Sequence, residues 1–143
     1  MMKKRHFLLR IILGLVALAH VLIGLGGVIP AVPVEWLASI LYGASLTVTP
    51  QIEHIVQMWG TYMLTVGVLT AFAAWQPVKN IFIIYGVSFL LFVRVLQRLF
   101  FAGQVESVFA VSPVWYWVQT VVFFAIPLAL ILLRPKASET NSA

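Results

Sequence analysis

Four stretches of the chain, residues 7–29, 51–75, 78–101 and 113–133, are apolar for long enough to cross a bilayer, which takes ~20 residues. Between the first and second lies PAVPVEWLASILYGASLTVTP, where Pro30 and Pro33 end the first helix because proline lacks the N–H that a helix interior needs. Residues 34–42 are too few to span. Wound as a helix they place Trp36, Leu37, Ile40 and Leu41 on one side and Glu35 and Ser39 on the other. That pattern predicts a short helix lying flat in the interface, with Trp36 and Tyr42 at headgroup level. Thr49-Pro50 and Ser112-Pro113 each offer a cap and a first-turn proline to the span that follows. Glu53 falls in the first turn of the second span, where the helix dipole favours an anion. Gln76-Pro77 leaves only a tight turn between the second and third spans, which predicts antiparallel neighbours. Pro127 predicts a kink in the fourth. The pattern as a whole predicts an all-α fold: an integral membrane four-helix bundle with a short interfacial helix between the first and second spans. It forms one domain over residues 1–136, followed by a disordered polar tail at 137–143.

The third span breaks its own pattern. LLFVRVLQRLFF, residues 90–101, holds Arg94, Gln97 and Arg98. An arginine in hydrocarbon costs ~2.5–3.5 kcal/mol on insertion scales, so protein or water must meet its charge. On ideal helices Arg94 lies ~10 Å below the outer end of its span, with Arg98 one turn higher, and His20 ~14 Å below the outer end of the first. Glu53, His54 and Gln57 begin the second span at the same face, and Tyr116, Gln119 and Thr120 lie early in the fourth. Polar residues are thereby gathered into one layer, while the other half of the bundle is almost purely apolar. The layer predicts a wet pocket open toward the outer side. Its candidate ligand-binding residues are Arg94, Gln97, Arg98, Glu53, Gln57, His20, Tyr116 and Gln119, with Arg94 and Glu53 as the expected ion pair. Each has a plainer reading beside it. Arg98 would snorkel to headgroups, Glu53 would serve the helix dipole, and His54 would be solvated. His20 would only pack, and Arg94 would form a structural pair without activity. Small residues, Gly14, Ala17 and Gly24 in the first span and Gly60, Gly67 and Ala74 in the second, form stripes that let helices approach closely.

Composition removes whole classes of function. The 143 residues are 62% hydrophobic and 9% charged, against roughly 25% charged in soluble domains, so a soluble fold is excluded. The net charge of +5 sits at the ends of apolar segments, where it sets topology rather than a nucleic-acid surface. Lys3, Lys4, Arg5 and Arg10 begin the chain, Lys79 occupies the tight turn, and Arg134 and Lys136 follow the last span. An even number of spans puts all three groups on one side. The other connections carry Glu35 and Glu106 and no lysine or arginine, so both termini are expected in the cytoplasm. The first apolar run is longer than the roughly 7–15 residues of a signal-peptide core, which predicts a retained helix. Cysteines are absent, which removes thiolate chemistry and cysteine-based metal sites. His20 and His54 differ by roughly 9 Å in depth, which argues against a bis-histidine haem. Glu53 is the only acid near the layer, too few for a carboxylate metal site. No Ser-His-Asp arrangement, phosphate loop or dinucleotide fingerprint occurs, and no inverted repeat points to a transporter.

Three stretches resemble the DoxX-like superfamily, including its BphX-like branch of small four-span bacterial proteins. They are RIILGLVALAHVLIGL in the first span, QMWGTYMLTVGVLTAF in the second and FVRVLQRLFFAGQ leading out of the third. The resemblance covers most of residues 8–133, and Arg94-x-x-x-Arg98 followed by Gly103 is its best part. It implies a four-helix membrane fold and an accessory role beside oxidative or catabolic enzymes, and it carries over no catalytic residue. The leading expectation is an inner-membrane protein whose pocket binds an amphipathic or aromatic small molecule, a quinone or a lipid. Arg94, Gln97 and Arg98 would meet its head, and Trp59, Tyr62, Phe101 and Trp115 its rings. The alternative is a structural subunit of a larger membrane complex or a homo-oligomer, and an enzyme comes third. The residues name no cofactor.

Overall fold

A computed structural model describes residues 2–109 and 111–135. Among them are six helices and no strand: α1 (Met2–Val28), α2 (Val34–Tyr42), α3 (Pro50–Trp75), α4 (Ile81–Phe100), α5 (Ala102–Phe109) and α6 (Pro113–Leu133). Four of these, α1, α3, α4 and α6, are long and apolar enough to cross a membrane. The chain is an all-α membrane bundle, and the short helix expected between the first two spans is present as α2. The tail at 137–143 and Lys136 lie outside the described residues.

Local chemistry sets the boundaries. Thr49 caps α3, its hydroxyl accepting from Ile52 N at 3.3 Å with Pro50 in the first turn. Ser112 makes no such side-chain bond to α6. The α4 helix starts three residues later than the apolar run implies. Residues 77–80 are a turn, and the Asn80 amide there donates to the Phe72 and Gln76 carbonyls, both at 3.1 Å. It thus ties the turn to the end of α3, adding a second bond to carbonyls that already accept from Gln76 N and Asn80 N, both at 3.0 Å. Gly43 ends α2 in the left-handed conformation, φ 62°, which glycine adopts without the cost a Cβ would add. The α5 helix was not foreseen, since 102–112 reads as a plain connection.

The four spans pack as two tight pairs. Along α1 and α3 the backbones touch through glycine. A Cβ added at Gly24 would lie 2.5 Å from Leu64 N, and one at Gly60 would lie 2.8 Å from Gly27 C. One at Gly67 would lie 2.8 Å from Val21 N. Close approach through small residues is how membrane helices gain dispersion contacts without a hydrophobic driving force. Gly14, expected in this stripe, faces open space. The second pair is α4 with α6. The helices joined by the tight turn, α3 and α4, have much less in common than either pair. They meet near the turn and separate toward the α2 end of the bundle.

The core sits in layers. Leu9, Leu13, Val16, Ala73, Ile84, Val87, Leu91 and Leu130 fill the half nearest the chain termini. At the other end Ala38, Ala44, Val111 and Tyr116 form a small cap with Tyr42, Ala102 and Val105 packed on it. The α2 helix turns Val34, Leu37 and Ala38 inward and leaves Trp36 and Ile40 exposed. Trp36 and Leu37 therefore point apart rather than sharing one apolar face, because α2 roofs the bundle as well as bordering the interface.

Candidate functional site

Between the core and the cap lies the polar layer. Hydroxyls on the spans, in this layer and in the core half alike, are satisfied within their own helix at several positions. Thr61 and Thr65 bond back to the carbonyls four residues earlier at 3.0 Å, Thr70 does so at 2.7 Å and Ser88 at 2.8 Å. This is the usual way for a hydroxyl to sit on an apolar helix. The arginines need more than that.

Arg98 is buried and clamps α4 to α6. Its Nε donates to Thr120 Oγ1 and its Nη2 to the Tyr116 carbonyl, both at 2.8 Å. The Tyr116 hydroxyl donates back to the Arg98 carbonyl at 2.5 Å. The guanidinium lies 4.0 Å from the Tyr116 ring centroid, a cation–π contact that offsets part of the desolvation. Snorkelling to headgroups is thus not what Arg98 does. Arg94 is half-buried one turn deeper. Its Nη2 donates to the Tyr42 hydroxyl at 2.5 Å, and its guanidinium lies 4.8 Å from the Phe123 ring.

The expected Arg94–Glu53 pair is not formed. Glu53 is exposed in the first turn of α3, where the dipole stabilises it without a cation. The divergence of α3 from α4 keeps it away from Arg94. Among the described residues neither arginine has a carboxylate partner. Gln57, half-buried, lines neither cavity described below, and the same holds for Glu53. Tyr42 sits at the bundle end as a partner of Arg94.

Two seams between the helix pairs open into two cavities. The larger, about 640 Å³, lies between α3 and α4 under α2 and α5. Trp59, Tyr62, Val66, Leu90 and Val93 form its sides, and Arg94, Gln97, Arg98 and Tyr116 its polar wall. Tyr62 and Val93 are themselves exposed, so this cleft opens sideways between the two helices. The smaller, about 300 Å³, lies between α1 and α6, with His20, Arg94 and Gln119 among its walls. Leu41, Tyr42, Met63 and Arg94 belong to both, so the Arg94–Tyr42 bond is part of the partition between them. The single pocket read from the sequence is two. Arg94, Gln97, Arg98 and Tyr116 meet in one; His20 and Gln119 meet Arg94 in the other. Of the ring residues expected, Trp59 and Tyr62 line the larger cleft, while Phe101 and Trp115 do not.

Tyr42 and Phe123 were missed as site residues. The signal for Phe123 was present, since it shares a stripe with Tyr116, Gln119 and Thr120. Tyr42 gave none, because α2 could be placed over the bundle only by its tertiary contacts. No family model, curated protein or solved structure matches this chain, so the resemblance to the DoxX-like superfamily rests on the three stretches alone.

Proposed function

We propose that the protein binds an amphipathic or aromatic small molecule, a quinone or a membrane lipid, in the cleft between α3 and α4. Its head would lie against Arg94, Gln97 and Arg98, and its rings or chain against Trp59 and Tyr62. The observation that carries this reading is the pair of guanidinium groups inside the bundle with no carboxylate partner among the described residues. A bound phosphate or carboxylate head would supply the missing negative charge, and the carbonyl of a quinone a further acceptor. The lateral opening gives a lipid-soluble molecule a route in, and a volume of about 640 Å³ suits a ligand site. The role we assign is that of an accessory protein of the bacterial inner membrane, in keeping with the DoxX-like resemblance. Both termini would be cytoplasmic, since the exposed Lys4, Arg10, Lys79 and Arg134 all belong to one end of the bundle.

The test is mass spectrometry of protein extracted from its native membrane into polymer-bounded discs. A small molecule retained near one per chain, and lost in Arg94→Leu, is the expected result. Protein partners at fixed stoichiometry with an empty cleft would instead favour the structural-subunit reading.

A further inference from the structure

We propose that the groove between α1 and α6 is a second binding site, for a neutral apolar molecule whose polar end is a hydrogen-bond donor, in the first instance a hydroxyl. It does not rest on the reading of the α3–α4 cleft.

The argument starts from two orphaned atoms. His20 is 6% exposed, and its Nδ1 lies 2.8 Å from the Val16 carbonyl. A carbonyl only accepts, so Nδ1 carries the hydrogen and, in the neutral ring, Nε2 carries the lone pair. That Nε2 is buried without a partner. Gln119 repeats the logic. Its amide nitrogen donates to the Leu41 carbonyl, which fixes the amide orientation, since the opposite one would set oxygen against oxygen. Its Oε1 is then left buried and unpartnered. Both groups line the same cavity. The hydroxyls of Thr61, Thr65, Thr70, Ser88 and Thr120 are satisfied by their own helices, and Arg94 and Arg98 by Tyr42, Thr120 and Tyr116. Two unpartnered acceptors on side chains that line one small cavity are therefore not the general condition of the bundle's polar groups, and a small shift of either side chain would present its acceptor to an occupant.

An unpartnered buried acceptor is costly, and what relieves it is a donor. The chemistry of the occupant follows. An alkane cannot donate, and neither can an ether, an ester or a carboxylate. An ammonium group donates but would be set against the Arg94 guanidinium in the same cavity. A hydroxyl fits: its proton goes to His20 Nε2 or Gln119 Oε1, and its oxygen can accept from Arg94. The remaining walls are aliphatic or aromatic, Ile12, Val16, Leu91, Phe123 and Ile126 among them, which calls for an apolar body. Leu15 lines the groove yet is 62% exposed, so the groove opens sideways toward the membrane, from which such a molecule would enter.

The test uses the full chain, ¹⁵N-labelled at histidine, in phosphatidylcholine nanodiscs. The probes are 1-dodecanol, dodecyl methyl ether and dodecanoate. Two readouts run together: saturable binding of tritiated probe, and the ¹⁵N resonance of His20 Nε2, which reports directly on a hydrogen bond accepted there. The alcohol should bind saturably and move the resonance. The ether should bind about tenfold more weakly and leave it in place, the effect of one lost hydrogen bond. The carboxylate, which Arg94 in the same cavity attracts but which has no proton to donate, should leave the resonance in place whatever its affinity. His20→Phe and Gln119→Leu should each weaken the alcohol by about tenfold. Trp59→Ala, in the other cleft, should change its affinity by less than about twofold, as expected for a distant site, which separates this proposal from the one above. Equal affinities for alcohol and ether in the unmutated chain would overturn it whether or not the variants fold. So would a His20 resonance that no alcohol concentration moves, which is the result if only trapped water meets Nε2.

Discussion

Replacing Tyr42 by Phe removes one hydroxyl and keeps the ring, so it isolates the bond that divides the two cavities. Arg94 then retains its contact with Phe123 at 4.8 Å and loses the 2.5 Å bond to the phenol. Hydrogen bonds to charged groups are worth ~1.5–3 kcal/mol in soluble proteins. Polar interactions between membrane helices average only ~0.6, with a maximum near 1.7 kcal/mol, because the unfolded chain in the bilayer also finds partners. Arg94 is half-buried, so a coupling of about 1–1.5 kcal/mol is the expected middle ground. The assay is a double-mutant cycle of Arg94→Leu and Tyr42→Phe, read by reversible denaturant unfolding in detergent micelles. The same cycle run between Arg94→Leu and Glu53→Gln should give additive losses, within ~0.3–0.5 kcal/mol. A Glu53 coupling larger than the Tyr42 coupling would refute the geometry and restore the ion pair that the sequence alone implied.

Other perturbations probe the rest of the architecture. Gly60→Ala drives a Cβ into the backbone of Gly27 at 2.8 Å and should cost ~1–3 kcal/mol by overpacking. Gly14→Ala meets nothing within 4 Å and should change stability by less than ~0.5 kcal/mol in the same unfolding assay. Tyr116→Phe deletes the hydroxyl bonded to the Arg98 carbonyl and keeps the ring beneath the guanidinium, so it should lose ~0.5–1.5 kcal/mol; Arg98→Leu, which ends the whole clamp, should lose more. A compartment reporter fused after Lys136 should read cytoplasmic and one inserted near Glu106 periplasmic, and the reverse pattern would invert the proposed orientation.

Periodicity and apolar length revealed the bundle because a bilayer imposes them directly. Thr49-Pro50 and Gln76-Pro77 marked where α3 begins and ends because caps and prolines act within a few residues. The polar layer was legible too, since depth along a helix is simple arithmetic at a fixed rise per residue. What depth cannot supply is the azimuth of one helix around another. The short connection between α3 and α4 made them look like the natural pair, and from that neighbourhood Glu53 looked like the natural anion for Arg94. Backbone proximity is decided instead by side-chain size on the faces that meet. Gly24, Gly27, Gly60 and Gly67 draw α3 onto α1, a preference visible in the sequence only as two stripes with no partner attached.

That choice of partners accounts for the candidate sites themselves. Glycine closes one pair, and the Arg98 clamp, with Thr120 and Tyr116 as its anchors, closes the other. Two pairs laid side by side leave two seams, and a seam lacking small residues stays open wherever larger side chains hold the helices apart. Arg94 stands where both seams reach the polar layer, bonded to Tyr42, which comes from the roof rather than from a span. A charge there touches both cavities at once. Any occupant that drew the guanidinium toward one seam would compete with the phenol and alter the wall of the other, so ligands in the two cavities would be coupled through a single side chain. The sign follows from the chemistry. An anionic head in the α3–α4 cleft would pull Arg94 away from the α1–α6 groove and leave a hydroxyl there with only His20 and Gln119, which weakens it. Titrating 1-dodecanol with and without a saturating anionic lipid should show that loss, and no loss in Arg94→Leu.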